Sequence, residues 1–492
     1  MRFGTECHQS GPFILCMMKV WQMLCRRQCV TTHRDTGIFD VKRIELVRSL
    51  SLATVIALLP VQAFAQSSAE PVTSTPHAPA QPKPLSPNAR TQTPVSPSTR
   101  DPMAPLPPAE GVPPAVEELP PPMWQAGDAQ DLLAYIIGIG AEGLDPGDYD
   151  PAGLNRAIRG GDPTTISKTA TDLFNRVSSD LAFGHVRGDD RQGWFVVDKD
   201  LDDARQRQLL DYALTTHSIG TAFQGLLPTH SQYGFLKAAL AATDKSDTAK
   251  LNRIRLNMDR WRWLPRDLGN KYVIVNVPAF YATLVENGVT RWKQRAIAGS
   301  IKTPTPQLTA MATGVILNPW WEVPTSINKE VAGKAGFVSV KGKDGKIQRW
   351  RQPPGPTNAL GQMKFVMYNP YNIYLHDTNA RSRFNGQVRA LSHGCIRTQN
   401  IHDLAAELGS DDGGEWTRDH IDEVLATEKT VEAKFVKPVP VYIVYFSSAA
   451  LNDGTIVDYK DLYGRDAKVI AALLDKKPSV PVKAKATQTA AK

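Results

Sequence analysis

The sequence predicts a multidomain α+β protein, an all-helical domain followed by a mainly β domain. Two observations carry this. Between residues 123 and 250 apolar side chains recur at helical spacing. From about residue 270 they alternate with period two, among many β-branched and aromatic residues. A length of 492 residues leaves room for about three domains of ~150 residues. The chain is 42% hydrophobic and 22% charged, which excludes a fibrous or wholly disordered protein. No apolar run approaches the roughly 18–20 residues of a spanning helix, so an integral multi-span protein is excluded as well. The net charge is +8. Residues 66–492 contribute only +4 of it, with no basic helix or aromatic-basic platform, so nucleic acid is not an expected partner.

The first 65 residues read as an upstream extension and an export signal. Lys42, Arg43 and Arg48 form a positive region, Leu50 to Val61 are apolar, and Ala63, Phe64 and Ala65 fit a small-x-small cleavage site. Cleavage is expected after Ala65 and residence in the periplasm; left uncleaved, the segment would act as a signal anchor. The upstream stretch fits no signal peptide, which suggests a translation start near Val41 or at Met18 or Met23. Four of the five cysteines (Cys7, Cys16, Cys25 and Cys29) lie in this segment. Only Cys395 remains after export, so no internal disulfide can form.

Residues 66–122 hold 17 prolines and form an expected disordered, partly polyproline-II linker. The helical domain is expected over residues 123–250, from the apolar runs at Asp131–Ile139, Thr169–Gly184, Ala204–Thr215 and Tyr233–Thr243. A helical bridge follows over 251–269. The β domain is expected over 270–466, with one helix near Ile401–Leu408. Residues 467–492 read as a basic tail.

The chemistry concentrates in NIYLHDT (Asn372–Thr378) and LSHGCIR (Leu391–Arg397). A thiol near pKa 8.5 needs a base to become a nucleophile at neutral pH. His376, at the end of a predicted strand, can be turned beside Cys395. Gly394 lacks a Cβ, so a substrate can come close to the amides there. These are the parts of acyl transfer through a thioester.

These segments resemble the signature of the L,D-transpeptidases, peptidoglycan cross-linking enzymes with a YkuD-type catalytic domain. The resemblance to the large periplasmic subtype extends to MDRWRWLP (Met258–Pro265), TPTP (Thr303–Pro306), NPWWEVP (Asn318–Pro324), PPGPTNALG (Pro353–Gly361) and DLYGRD (Asp461–Asp466), covering roughly Trp124 to Asp466. It implies an all-helical scaffold domain beside a mainly β catalytic domain with a capping flap at about 320–354. It also implies the reaction: Cys395 as nucleophile, a tetrapeptide stem as donor losing D-Ala, and a 3→3 cross-link as product. His376 would be the general base and acid, oriented by the Asp377 backbone carbonyl. The amides of Gly394 and Cys395 would form the oxyanion hole. Ser392, His393, Arg397, Trp320 and Trp321 would line the substrate site. No cofactor or metal is implied. The implied partners are peptidoglycan stem peptides and other wall-synthesis proteins, in cell-wall biogenesis and cell shape, and carbapenems would be inhibitors. One departure stands out. Only Leu226 to Lys250 fills the place where the large subtype carries a peptidoglycan-binding module, which is too short for one.

Other readings remain open at this level. The same acyl-enzyme serves D-amino-acid exchange, lipoprotein attachment or hydrolysis, depending on the acceptor. A zinc site from His376, Asp377, His393 and Cys395 is a different class, although no CxxC or HExxH supports it. A non-catalytic wall-binding protein is a third. Arg397 could equally serve a stabilising ion pair, and Trp320 and Trp321 could be plain core. His185, His217, His230, His402 and His420 read as structural.

Overall fold

The computed structural model describes residues 122–196, 201–451 and 453–475. The expected export signal, nearly all of the Pro-rich linker and the end of the basic tail lie outside these residues.

The helical domain comprises α1 (Ala126–Gly138), α2 (Pro151–Gly160), α3 (Pro163–Phe183), α4 (Asp203–Thr215), α5 (Ile219–Gln224) and α6 (Ser231–Ala242). Its helix starts are written in local chemistry. Asp150, Asp162 and Asp202 each accept a backbone N–H of the first turn at 2.8–2.9 Å, and Pro151 and Pro163 occupy first helical positions. Each such cap is worth roughly 1 kcal/mol. The buried face joins Leu132 and Ile136 of α1 to Phe174, Val177 and Leu181 of α3 and Phe223 of α5.

The expected bridge has a larger role than a connector. It is α7 (Thr248–Trp261), and its Leu251, Ile254, Leu256, Met258 and Trp261 form one core with Tyr272, Val285, Tyr442, Val444 and Phe446 of the β domain. This core also takes in Val469 and Leu473. They belong to a helix, Asp466–Leu474, at the place where the sequence suggested the start of a basic tail. The difference has a simple cause: Val469, Ile470 and Leu473 recur at helical spacing and only a neighbouring helix gives them a surface to cover.

The β domain is built on β1 (Lys271–Asn276), β2 (Tyr281–Glu286), β3 (Val289–Gly299), β4 (Leu308–Leu317), β8 (Met363–Val366), β9 (Leu375–His376), β10 (Ala390–Ser392), β11 (Ile396–Thr398) and β12 (Val431–Val444). Their order is β10-β3-β11-β9-β8-β4-β12-β1-β2, and β3 also pairs with β2, so the sheet closes on itself through β3. Closure removes the exposed edge that an open sheet would present. Inside lie Val273, Val275, Leu284, Leu308, Val315, Phe365, Leu375, Ile396 and Val441. The expected helix near Ile401 is present, Ile401–Gly409, and a second one, Arg418–Ala426, was not anticipated. Both turn apolar faces to this core through Leu404, Leu408, Ile421 and Leu425.

The expected flap is a separate layer. It is a three-stranded sheet of β5 (Trp321–Glu322), β7 (Ile347–Gln352) and β6 (Val338–Lys341) in that order. Its own small core is Val323, Ile327 and Val331 with Trp321, Phe337 and Trp350. Among the described residues no helix is long and apolar enough to cross a membrane.

Candidate active site

Register assembles the site. β9 and β11 run parallel with Ile396 opposite Leu375 and Arg397 opposite His376, and β8 places Lys364 opposite His376. Leu375 and Ile396 point into the core. Alternation therefore sends Tyr374, His376, Cys395, Arg397 and Lys364 to the other face. Five groups capable of proton transfer or charge stabilisation share one small patch. Tyr374 and His376 meet edge to face at 5.6 Å, and the Lys364 ammonium lies 5.2 Å from the Tyr374 ring centre.

Cys395 is half-buried, and its S–H points at the Asn372 carbonyl, 3.6 Å away. His376, read as the base for this thiol, is not its hydrogen-bond partner in this state. Resting sites often tighten such contacts only when substrate binds. Burial pushes the thiol pKa up, while the Tyr374 N–H and O–H and the charges of Lys364 and Arg397 favour the thiolate. Tyr374, inside the quoted motif, was not singled out from the sequence. Its hydroxyl reaches both the thiol and the Trp321 indole.

His376 is 5% exposed. Burial holds its imidazole down to about 3, helped by Arg397 and Lys364, while the backbone carbonyl and carboxylate of Asp377 pull the other way. Its Nδ1 is buried without a partner of good hydrogen-bond geometry among the described residues. The ring is therefore neutral at pH 7 in this resting state. Asp377 is itself fixed. Its carboxylate accepts the Gln362 N–H at 3.0 Å and Arg381 at 2.8 Å. Gly361, at φ +64°, makes this approach achievable, since a Cβ there would lie 2.3 Å from the carboxylate.

Gly394, expected in the oxyanion hole, has a partner in the resting loop. Its N–H donates to Ser392 Oγ at 3.1 Å, and the same hydroxyl donates to the Cys395 carbonyl at 2.6 Å. The Gly394 amide is therefore hydrogen-bonded within the loop in the resting structure. Ser392, expected to line the substrate site, is 3% exposed and staples this turn. The Gly394 carbonyl accepts from buried Thr305 at 2.7 Å. The peptide is planar and trans, so the Cys395 N–H must point away from Thr305. Gly394 sits at φ +118°, a region closed to side chains, which explains the residue type.

His393 is half exposed, with Nε2 3.4 Å from Glu330 on the flap. Arg397 has a buried Nε with no partner among the described residues. This favours the anion-binding reading over a structural ion pair. Trp321 reaches the site through Tyr374, whereas Trp320 lies under the Arg351 guanidinium at 4.3 Å within the flap. The four candidate zinc ligands do not converge, because His393 faces Glu330 and the Asp377 carboxylate faces Arg381. Two clefts, of about 810 and 740 Å³, lie elsewhere. The first lies between His230, Phe235 and Tyr281, the second behind Asp377 beside His402 and Arg418.

Fold and site together define a class: a helical domain joined to a mainly β domain that gathers Cys395, Tyr374, His376, Arg397 and Lys364 on one patch. Comparison with known proteins specifies it. The family model for the L,D-transpeptidase catalytic domain matches residues 270–437, and that for the scaffold domain matches residues 120–240. A putative L,D-transpeptidase of Haemophilus influenzae is 30% identical over 243 residues, covering 44% of this chain and 48% of that one. The chain thus spans about half the length of this curated relative. Among solved structures, an L,D-transpeptidase from Mycobacterium smegmatis shares 14% identity over 36% of this chain and 58% of that one, with a TM-score of 0.19. L,D-transpeptidase 3 from Mycobacterium tuberculosis shares 12% over 36% and 61%, with the same score. Residues 270–437 thus resemble the L,D-transpeptidase catalytic domain, and residues 120–240 the scaffold domain.

Proposed function

We propose that the protein is a periplasmic peptidoglycan L,D-transpeptidase that forms 3→3 cross-links through a Cys395 thioester. The observation that carries this is the shared face of Cys395, Tyr374, His376, Arg397 and Lys364 within a domain that resembles this family. The thiol proton passes to His376, and the sulfur attacks the carbonyl joining the third stem residue to D-Ala. The Cys395 N–H takes the oxyanion. When the C–N bond breaks, His376 returns the proton to the leaving amine of D-Ala. An amine of a second stem then attacks the thioester, again giving a proton to His376, and the thiolate departs, stabilised by Tyr374, Lys364 and Arg397. Arg397 also suits the carboxylate of the departing residue, and a bidentate pair there would orient the scissile bond.

The decisive experiment is to incubate the protein with tetrapeptide muropeptides and weigh the products. A dimer lacking one D-Ala is expected. Only hydrolysed tripeptide, or only exchanged D-amino acid, would overturn the cross-linking reading and name the acceptor instead. A carbapenem should add the mass of one molecule on the peptide containing Cys395; an adduct persisting in Cys395→Ser would overturn that nucleophile. Fractionation of cells should find the protein in the periplasm with its new N-terminus at Gln66.

A further inference from the structure

We propose that Tyr368 and Tyr371, backed by Phe195 of the scaffold domain, form a platform that holds a sugar ring of the glycan strand beside Cys395. This rests on the transpeptidase reading above.

The platform is exposed and built. Tyr368 is 88% exposed, Tyr371 41% and Phe195 45%. Solvated aromatic rings gathered near a reactive group mark a binding surface more often than isolated ones do. The turn that displays the tyrosines is rigid. Asn369 donates its amide to the carbonyls of Met367 and Ile373 at 2.8 and 2.7 Å, and its Oδ1 accepts the N–H of Tyr371 and of Ile373, each at 3.2 Å. The Asn372 N–H returns to the Asn369 carbonyl at 3.2 Å. This polar staple fixes the turn through Asn369 rather than through the tyrosine rings.

Phe195 comes from the other domain. Its N–H bonds the Gln307 carbonyl at 2.8 Å, the Gln307 N–H bonds the Gly193 carbonyl at 3.0 Å, and Phe195 stacks on Tyr371 at 4.5 Å and 28°. Scaffold and catalytic domains thus meet at the mouth of the site.

The chemistry selects the ligand. Residues 367–372 and 193–196 carry no charge, so neither an acidic polymer nor a charged peptide is recognised here. Ring faces with nearby amides and hydroxyls suit a neutral ring with one apolar face, and a pyranose is such a ring. Reach agrees. Tyr371 adjoins Asn372, whose carbonyl contacts Sγ at 3.6 Å. Three extended stem residues between the scissile carbonyl and its sugar span about 10 Å, comparable with a tyrosine one residue further on.

The test compares a disaccharide-tetrapeptide with the free tetrapeptide. In the wild type, kcat/KM is expected to favour the disaccharide form by about tenfold, expressed in KM. The Tyr368→Ala/Tyr371→Ala double variant should bring that ratio near one, and Tyr368→Phe/Tyr371→Phe should largely restore it. An undiminished ratio in the alanine variant overturns the proposal. Should the wild type turn over neither substrate, the transpeptidase reading fails and a separate measurement decides this one. Stem-free glycan oligosaccharides titrated against the protein should bind the wild type and not the alanine variant. No binding to the wild type, or binding of anionic lipid vesicles in its place that the alanine variant loses, would overturn the platform as a sugar site.

Discussion

Two buried histidines, His185 beside the core shared by the two domains and His376 on the reactive face of the sheet, are treated in opposite ways. Around α7, Asp259 is fully buried and accepts from the His185 and Val186 amides at 2.6 and 3.2 Å and from the Trp263 indole at 3.0 Å. Asp180 likewise takes the Tyr149 hydroxyl and the His185 ring at 2.9 Å each, and Arg187 at 3.1 Å. On the reactive face, His376 Nδ1 and Arg397 Nε are buried without partners among the described residues. Two buried histidines register the contrast. Burial would lower His185, but the Asp180 hydrogen bond and charge outweigh it and raise the pKa. Burial of His376, with Arg397 and Lys364 beside it, outweighs the upward pull of Asp377 and takes it down to about 3. A satisfied buried network holds an interface together. An unsatisfied one is unfavourable in the resting protein and becomes satisfied when substrate and a proton arrive.

The largest test of that contrast is on the reactive face. Cys395→Ala should reduce muropeptide turnover by at least ~10⁴-fold with an unchanged melting temperature. A residual rate above that would place the nucleophile elsewhere. At the interface the reverse is expected: Asp259→Ala should destabilise by roughly 3–5 kcal/mol, the usual result of leaving a buried charge network without one partner. Urea unfolding checks this, and a loss below about 1 kcal/mol would show that the network is not a stabilising one. Next, His376→Ala should slow iodoacetamide alkylation of Cys395 at pH 7 by about 10²-fold, the range of general-base assistance. An unaltered rate would remove His376 as the base.

Per pH unit the change is gradual, and in pH dependence the two histidines should pull in opposite directions. Between pH 3 and 6.5 the unfolded chain protonates His376 while the folded protein does not, so stability falls as pH falls through this window. The slope is about 1.4 kcal/mol per pH unit at most, and His376→Gln should flatten it. His185 binds its proton more tightly when folded, so its contribution is present below 6.5 and lost as pH rises towards its raised value. His185→Gln should remove that loss. Equal slopes in both variants would erase the distinction between paired and unpaired burial.

How much of this was legible beforehand varies by residue. Cys395, His376 and Arg397 stand in two short strings whose residue types are unusual together, and they do converge on one face. Tyr374 carried a usable signal, since it is two residues before His376 on a strand and alternation puts the two side by side. Lys364 carried none. It joins the site through the pairing of β8 with β9, which local sequence does not encode. Ser392 and Gly394 were read as site groups because they flank Cys395, whereas their hydrogen bonds turn inward. Phe195 lies 200 positions from Cys395 in the chain and reaches its neighbourhood only through the contact with Gln307.

The sequence by itself determined the change from helical to alternating period, the aspartate caps that start the helices, and a single thiol set in a glycine-marked turn, because each depends on neighbours within a few residues. Tertiary structure decided that Ser392 takes up the Gly394 amide, which buried histidine is paired, and how a phenylalanine of the helical domain comes to stack on Tyr371 near Cys395. Those outcomes depend on strand register and domain contact, interactions between groups far apart in the chain that only become neighbours when the core closes.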